Sequence, residues 1–265
     1  MSRILTALVA VPLLLLVILK GPAWLFLAVA LAFALLSFWE LSRLAAKMGW
    51  RLFAVGYPLV VFSVTSFYPG FPGLEDTAIS ILLVVGLAAV FNRDPGRETL
   101  GSVAATVFAI LYTGALIGTV VGLRTTEPEE LGRLRLLFLL AVVMLGDAGA
   151  YFVGRAFGRS PLAPVLSPKK TVEGLVGGIL FSVATAIVLR YSFLPRISLA
   201  TAVSLGLSIA LLGVVGDLFE SLLKRSAGIK DTSSLLPGHG GVLDRIDSLL
   251  FAAPFLFLYM KWGDL

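Results

Sequence analysis

The sequence predicts an all-α, polytopic integral membrane protein with about nine transmembrane helices and a polar cavity open to the cytoplasmic side. Three observations support this fold class. Hydrophobic residues make up 58% of the 265-residue chain and charged residues only 14%, whereas soluble domains carry about 25% charged residues. Apolar runs long enough to cross about 30 Å of hydrocarbon recur along the whole chain. Some of these runs contain a carboxylate, and such a group usually faces a polar interior.

Nine apolar runs are the candidate membrane spans, and Pro and Gly residues mark many of their ends. The runs cover residues 4–19, 23–39, 52–68, 77–91, 100–123, 134–157, 175–194, 198–218 and 246–262. The fourth run is the weakest candidate, because its 15 residues fall below the usual minimum of about 17. The first run has the length of a signal peptide, but no small-residue cleavage motif follows it. We therefore expect it to be retained as the first span.

The distribution of Lys and Arg predicts the orientation of these spans. The N-terminus and the loops after spans two, four, six and eight carry 14 of the 21 basic residues, and the opposite side carries 7. Cytoplasmic loops are enriched in Lys and Arg, so we expect the first side to face the cytoplasm from the inner (cytoplasmic) membrane. The two most polar loops, 158–174 and 225–245, then both lie on the cytoplasmic side.

Two regions are expected along the chain. Spans one to five form an N-terminal region over residues 1–130. Spans six to nine form a C-terminal region over residues 131–265, which carries both polar loops and is expected to be catalytic.

The end of span eight carries a charged helix face. Asp217, Glu220 and Lys224 are three and four residues apart, so they project from one side of a helix. A charge at the centre of a membrane helix costs about 2.5–3.5 kcal/mol, and a residue retained at that cost usually binds something. A helix end at the membrane interface, with Lys224 and Arg225 reaching towards water, would explain the same pattern without any function.

Polar chemistry is concentrated just after span eight, in "KDTSSLLPGHGGVLDRID". This stretch supplies Lys230, Asp231, His239, Asp244, Arg245 and Asp247. The pair Gly240 and Gly241 allows a sharp turn that presents backbone N–H groups to an anion. A lone histidine in such a turn is more often a structural residue or a phosphate contact than a general base.

The aspartates of this region are candidate metal ligands. Asp217, Asp244 and Asp247 would form an oxygen cage for a hard cation such as Mg²⁺, which takes carboxylates together with phosphate and water oxygens. A structural zinc site of the Cys/His type is excluded, because the chain has no cysteine and one histidine.

A second group of candidates occupies the end of span six and the loop after it. Asp147, Tyr151 and Arg155 recur every four residues and form a stripe on one helix face. Ser167 followed by proline predicts a helix N-cap, which places Lys169 and Lys170 in the first helical turn. Lysines there oppose the helix dipole, so a bound phosphate would explain them. They would otherwise be positive-inside anchors.

Glu173 lies near these lysines in the sequence and is a candidate to pair with them or to reach a metal. No phosphate-binding loop of the G-x-x-x-x-G-K-[ST] type and no dinucleotide-binding G-x-G-x-x-G motif occurs. The net charge of +5 does not indicate a nucleic-acid partner, because in a membrane protein the placement of basic residues matters more than their sum. A cation- or proton-coupled transporter that uses Asp147 and Asp217 is the alternative reading.

The pattern S-x-L-K-R-x4-K-D-x-S-x2-L-P-x-H-G-G-V-L-D-R-I-D over residues 221–247 resembles the motif of phosphatidate cytidylyltransferases (CDP-diacylglycerol synthases). The upstream stretch "GDAGAYFVGRAFGR…LSPKKTVEG" is also similar to that family. The resemblance implies that the chain converts CTP and phosphatidic acid into CDP-diacylglycerol and pyrophosphate with Mg²⁺. It also implies a role in phospholipid biosynthesis at the lipid bilayer.

The reaction brings two anions together, so cations and metal ligands should line the site. The candidate catalytic residues are Lys224, Arg225, Lys230, Asp231, His239 and Arg245. The candidate metal ligands are Asp217, Asp244 and Asp247, and a second cation is left open. The candidate substrate-binding residues are Asp147, Tyr151, Arg155, Ser167, Lys169, Lys170, Glu173, Gly240 and Gly241. Small-residue faces, such as the one from Gly114 to Gly122, are compatible with a homodimer because they permit close helix packing.

Overall fold

The structure is a computed structural model that describes residues 12–92, 96, 98–194, 197–233, 235 and 240–262. The described chain is helical apart from one short hairpin, so the all-α prediction is confirmed. The described part of α1 covers residues 12–20. The other helices are α2 Ala23–Lys47, α3 Gly56–Thr65, α4 Leu74–Phe91, α5 Thr99–Ile110, α6 Leu116–Thr125, α7 Glu129–Phe157, α8 Val172–Ser192, α9 Leu199–Ser226 and α10 Leu243–Trp262. A π-helical turn, Leu111–Ala115, joins α5 to α6, and the antiparallel strands β1 Pro161–Ala163 and β2 Ser167–Thr171 form the hairpin.

Within the described residues, six helical segments are long and apolar enough to cross a membrane. They are α2, α4, the continuous segment Thr99–Thr125, α7, α8 and α9. The expected fourth span forms an 18-residue helix, so the weakness inferred from its length was wrong. The short span is instead the expected third one. Its helix, α3, has 10 residues and is therefore only about 15 Å long at a rise of 1.5 Å per residue. The expected first span lies partly outside the described residues, and the count of nine stays a prediction.

The chain divides into two compact units. Unit 1 comprises the described residues of Met1–Thr125 together with Ser226–Arg245, and unit 2 comprises those of Thr126–Arg225 together with Ile246–Leu265. The described residues of Ser226–Arg245, called the polar segment below, therefore pack with the N-terminal helices. The division expected from the sequence assigns them to the C-terminal region.

Small residues set the helix spacing in unit 1. A Cβ atom added to Gly56 would overlap the ring of Phe38, which also meets Tyr57 edge to face at 4.9 Å. Gly114 lies against Ser63, and Gly118 lies against the ring of Phe67. These two positions of the glycine face are thus occupied within the chain, and the homodimer stays a prediction.

Unit 2 is built around the close antiparallel pairing of α7 with α8. A Cβ atom at Gly146 would overlap the hydroxyl of Ser182, and one at Gly178 would come within 3.2 Å of the Gly146 carbonyl oxygen. The Ser182 hydroxyl donates to the carbonyl oxygen of Val142 at 3.0 Å. The third helix, α9, approaches α8 at Gly206, where a Cβ atom would lie 2.9 Å from the Cα atom of Val183. Glycines therefore bring the backbones of three helices together.

Arg124 is a wholly buried cation in unit 1, with 0% of its surface exposed. Its guanidinium donates to the carbonyl oxygens of Ile18 and Gly21, both at 3.1 Å. These carbonyls belong to the end of α1 and the turn after it, where the last helical carbonyls have no partner within the helix. Arg124 therefore caps the first helix from the end of α6.

We expect Arg124→Leu to lower the free energy of unfolding by about 3 kcal/mol, because two buried carbonyl groups would lose charge-assisted hydrogen bonds. The measurement is the thermal midpoint of the purified protein in detergent. Arg133→Leu is the matched control, since Arg133 forms a partly exposed pair with Glu129 that is worth only about 0.3–0.5 kcal/mol. Equal midpoints for the two variants would contradict the capping role.

Candidate active site

Three aspartates from three helices form an acidic cluster in unit 2. Asp147 is on α7, Asp217 on α9 and Asp247 on α10. The charge on Asp147 interacts with the charges on both Asp217 and Asp247, and the latter two interact with each other. Sequence reasoning had named all three residues, but it had placed Asp147 with the substrate and the other two with the metal. The structure brings them into one cluster.

The backbones of α9 and α10 touch beside this cluster. A Cβ atom at Gly216 would overlap the carbonyl oxygen of Asp247, so the residue before Asp217 has to be small. The Asp247 carboxylate accepts the backbone N–H of Ser248 at 2.7 Å. Glycine thus allows two aspartates of neighbouring helices to come close to each other.

Lys170 is the cation of the cluster. Its ammonium group lies 2.5 Å from the carboxylate of Asp217, and the two side chains are 26% and 31% exposed. It also interacts with the charge of Asp147. Asp217 and Asp147 therefore share the ammonium group of Lys170, while Asp247 interacts with the charge of Lys224, which also pairs with Glu220. The carboxylates outnumber these lysines, which leaves an excess of negative charge at this place.

The lysine pair does not begin a helix, so the predicted N-cap at Ser167 was wrong. Ser167 starts strand β2, and α8 begins only at Val172, after an N-cap at Thr171 whose hydroxyl accepts the Gly174 N–H at 3.1 Å. Neighbouring residues of a strand point to opposite sides. Lys170 accordingly turns to Asp217, whereas Lys169 is exposed.

The hairpin that carries Lys170 is tied at its base and at its turn. The Glu173 carboxylate accepts the backbone N–H groups of Arg159 and Ser160, at 3.0 and 3.2 Å. The Arg225 guanidinium approaches the carbonyl oxygen of Leu166 at 3.4 Å. Glu173 and Arg225 therefore help to hold the hairpin in place, in addition to the substrate-binding and catalytic roles predicted for them.

The predicted stripe on α7 is present as a helix face. Arg155 donates to the hydroxyl of Tyr151 at 3.0 Å, and both side chains are on the surface. One turn earlier, Asp147 lines a narrow cleft between α7, α8 and α9. Small residues such as Gly146, Gly178 and Gly213 line much of its wall. This cleft is mostly apolar, so the polar cavity open to the cytoplasm stays a prediction.

Glu220 is a site residue to which sequence reasoning assigned no role. It is wholly buried, and its carboxylate pairs with the ammonium group of Lys224 at 3.0 Å. Its position three residues after Asp217, on the same helix face, was the signal that could have identified it.

The remaining predicted residues lie in unit 1, on the polar segment. One oxygen of Asp244 accepts three hydrogen bonds: from the backbone N–H of Thr232 at 3.2 Å, from its hydroxyl at 2.8 Å and from the Gly241 N–H at 2.8 Å. The Gly241 N–H therefore does meet an anion, but that anion is a side chain of the protein. The substrate-binding role of Gly240 and Gly241 stays a prediction.

Lys230, Asp231 and Arg245 are exposed on the polar segment, and His239 lies outside the described residues. Their catalytic roles remain predictions. Sequence reasoning missed a further carboxylate in this unit, Glu40 of α2, which is wholly buried and bonded to the polar segment. Its signal was a lone acid directly after the apolar run of the second span, a position at which a charge usually has a function.

No three carboxylate or histidine side chains of the described residues are close enough to hold one metal ion. The acidic cluster nevertheless suits Mg²⁺, which is usually held by one or two carboxylates together with phosphate oxygens and water. Its excess of negative charge favours a divalent cation. The expected third ligand, Asp244, has one oxygen fully engaged by Thr232 and Gly241.

Comparison with known proteins bears directly on this arrangement. Residues 1–262 match the model of the Cytidylyltransferase family. A phosphatidate cytidylyltransferase of Thermotoga maritima is 32% identical over 263 residues, which cover 88% of this chain and 93% of the relative. An uncharacterized protein of Escherichia coli K12, YnbB, is 32% identical over 256 residues, with 92% and 82% coverage. A phosphatidate cytidylyltransferase of Haemophilus influenzae is 46% identical over 140 residues, or 49% of this chain and 46% of the relative.

The match of the family model extends over both units, from the N-terminal helices to the end of α10. It includes the two stretches that carried the resemblance in the sequence, and that resemblance is confirmed. A membrane-embedded bundle with carboxylates and a lysine at one place fits an enzyme that handles phosphates. The chain belongs to the Cytidylyltransferase family.

Proposed function

We propose that this enzyme is a phosphatidate cytidylyltransferase, which transfers CMP from CTP to phosphatidic acid and releases pyrophosphate. The observation that carries the proposal is the acidic cluster with Lys170 against Asp217, two of whose aspartates, Asp147 and Asp217, lie on helices apolar enough to span a membrane. The match to the phosphatidate cytidylyltransferase of Thermotoga maritima, which extends over most of both chains, supports the same activity.

The chemistry needs positioned charge more than a strong base. The attacking group is a phosphate oxygen of the lipid, which is already largely anionic at neutral pH because the second pKa of a phosphate monoester is about 6. The bond that forms joins this oxygen to the α-phosphorus of CTP, and the bond that breaks releases pyrophosphate. Catalysis of such a transfer is mostly positioning and electrostatic stabilisation.

The groups of unit 2 provide these charges. Lys170 is half-buried on its strand and can exchange its contact with Asp217 for a substrate phosphate. Arg155 lies on the surface of α7 near its end, where an incoming anion can reach it. Lys224 stays paired with the buried Glu220, and it contributes to the positive potential at the end of α9.

A divalent cation, which we propose to be Mg²⁺, would be held by Asp217 and Asp247 with Asp147 nearby. When bound, it neutralises charge on the CTP phosphates and on the pyrophosphate leaving group. Without it, the carboxylates would repel a nucleotide. Asp147 reaches the same place from α7 and opens into the cleft, so it can orient a phosphate-bound water or contact the ion.

The positive-inside distribution supports a location in the inner membrane with the polar loops in the cytoplasm, where CTP is available. The acyl chains of phosphatidic acid would remain in the bilayer. The alternative of a transporter gains no support, since the chain belongs to a family of transferases and no observation on Asp147 or Asp217 requires transport.

We expect Asp217→Asn to lower kcat by about 1,000-fold, because one group of the electrostatic machinery is removed while the side-chain shape is kept. The measurement is CDP-diacylglycerol formation from labelled CTP by the protein in mixed micelles. The control is Asp76→Asn, which removes an exposed carboxylate in the first turn of α4 and should leave the rate unchanged. Near-wild-type turnover of the Asp217 variant would remove this residue from the site.

Binding of a divalent cation can be measured apart from turnover. We expect Mn²⁺, as a spectroscopic substitute for Mg²⁺, to give a bound electron paramagnetic resonance signal with the wild-type protein in the presence of CTP. The signal should weaken at least tenfold in Asp217→Asn and in Asp247→Asn, because each variant removes one anionic ligand. Equal binding by wild type and both variants would place the ion elsewhere.

We expect Lys170→Ala to lower kcat/KM by about tenfold to 100-fold, because a bound phosphate loses a charge-assisted contact. A rise in KM should account for most of the change, since the contact exists before the transition state. Lys47→Ala, at an exposed helix end, is the control for loss of one positive charge. A KM equal to that of the control would show that Lys170 serves only to anchor the hairpin.

A further inference from the structure

Glu40 is a buried carboxylate that the mechanism above does not use. It lies on α2 with 0% of its surface exposed, and it accepts four hydrogen bonds from residues about 200 positions later in the chain. One oxygen accepts the Ser233 hydroxyl at 2.6 Å and the Val242 N–H at 2.9 Å. The other accepts the Thr232 hydroxyl at 3.1 Å and the Leu243 N–H at 2.8 Å.

Two of these donors are the backbone N–H groups of Val242 and Leu243, where α10 begins. The first N–H groups of a helix have no partner within the helix, and the helix dipole favours a negative charge there. Glu40 therefore acts as a cap for this helix end, supplied by a different helix. The other two donors are hydroxyl groups of the polar segment, so the same carboxylate holds both ends of residues 232–243.

The backbone of the polar segment is shaped to fit around this carboxylate. A Cβ atom at Gly241 would overlap the Thr232 hydroxyl and both oxygens of Glu40. Gly240 has a φ angle of +80°, which L side chains rarely adopt. A Cβ atom there would also lie 2.8 Å from the Asp244 carboxylate. The glycine pair thus permits a close approach that any larger residue would prevent.

The Thr232 hydroxyl links Glu40 to Asp244. It lies 3.1 Å from an oxygen of Glu40 and 2.8 Å from an oxygen of Asp244, so its one proton is shared between the two carboxylates. Its backbone N–H also donates to Asp244. The position of the Asp244 carboxylate is therefore coupled to the anchor at Glu40 through one residue.

We infer that Glu40 is a positioning residue of the transferase, which fixes the polar segment so that Lys230, Asp231, Asp244 and Arg245 are presented in one arrangement. The inference rests on the proposed function, because these residues belong to the motif of the reaction. Glu40 itself is not expected to contact substrate. A buried carboxylate with four donors would also stabilise the fold, so the test has to separate positioning from stability.

The test compares Glu40→Gln with wild type in the full-length protein. An amide nitrogen cannot accept a hydrogen bond, so two of the four donors would face another donor. We expect kcat to fall by about 100-fold, because a shift of about 1 Å in a catalytic segment has effects of that size, with less than a threefold change in KM. Hydrogen exchange of the Val242 and Leu243 amides should become at least tenfold faster.

Ser37→Ala is the matched control. Ser37 lies three residues earlier on α2, is wholly buried, and its hydroxyl has no hydrogen-bond partner in the structure. The variant disturbs the same helix without touching the anchor, so its kcat and amide exchange should match wild type. Ser233→Ala provides a second test if Glu40→Gln does not fold, since it removes one of the bonds to Glu40, at 2.6 Å, together with the bond that the Ser233 hydroxyl accepts from the Leu235 N–H at 3.2 Å.

We expect Ser233→Ala to lower kcat by about threefold to tenfold. In the Glu40→Gln background the same substitution should lower kcat by a smaller factor, since the two residues share one contact. Unchanged kcat in Glu40→Gln, a change confined to KM, or unchanged exchange of the two amides would each overturn the inference. A kcat of the Ser233→Ala variant equal to that of the wild type would also overturn the inference. If the wild-type protein makes no CDP-diacylglycerol, the proposed function fails, and amide exchange alone then decides whether Glu40 is the anchor.

Discussion

A carboxylate placed within the helices of a membrane protein has to be matched by donors or cations, and this requirement organises both units. Leaving such a group without partners would cost several kcal/mol, so each buried acid is surrounded by specific groups. In unit 1, Glu40 receives two backbone N–H groups and two hydroxyls. In unit 2, Glu220 is matched by the ammonium group of Lys224.

The acidic cluster of Asp147, Asp217 and Asp247 differs from these matched groups. Lys170 gives it one close positive charge, and its side chains are more accessible than Glu40 or Glu220. An accessible group of charges that is only partly neutralised is typical of a site that binds a charged ligand. The two buried acids stabilise the surrounding structure, and the cluster retains negative charge that the proposed divalent cation would neutralise.

Glycines make this arrangement possible in both units, for the same steric reason. Gly216 lets α10 approach α9 beside Asp217, and Gly241 lets the polar segment close around Glu40. A methyl group at either place would push the carboxylates away from their neighbours. The short hairpin serves a related purpose, because alternation along β2 separates Lys170, which meets Asp217, from the exposed Lys169.

The amino-acid sequence was sufficient to predict the helical membrane class, the family and the residues that carry charge. Hydrophobic length and composition are local properties, and the motif over residues 221–247 was readable without any structure. Which of the charges meet depends on how the helices pack. Asp147 and Lys170 join Asp217 because helix packing brings α7, α9 and the hairpin together, and no spacing along the chain encodes that contact. Ser167 and proline resemble a helix start locally, yet pairing with β1 makes them a strand. The role of Glu40 could not be predicted from the sequence, because its partners are about 200 residues away and a contact over that distance is created only when the chain folds.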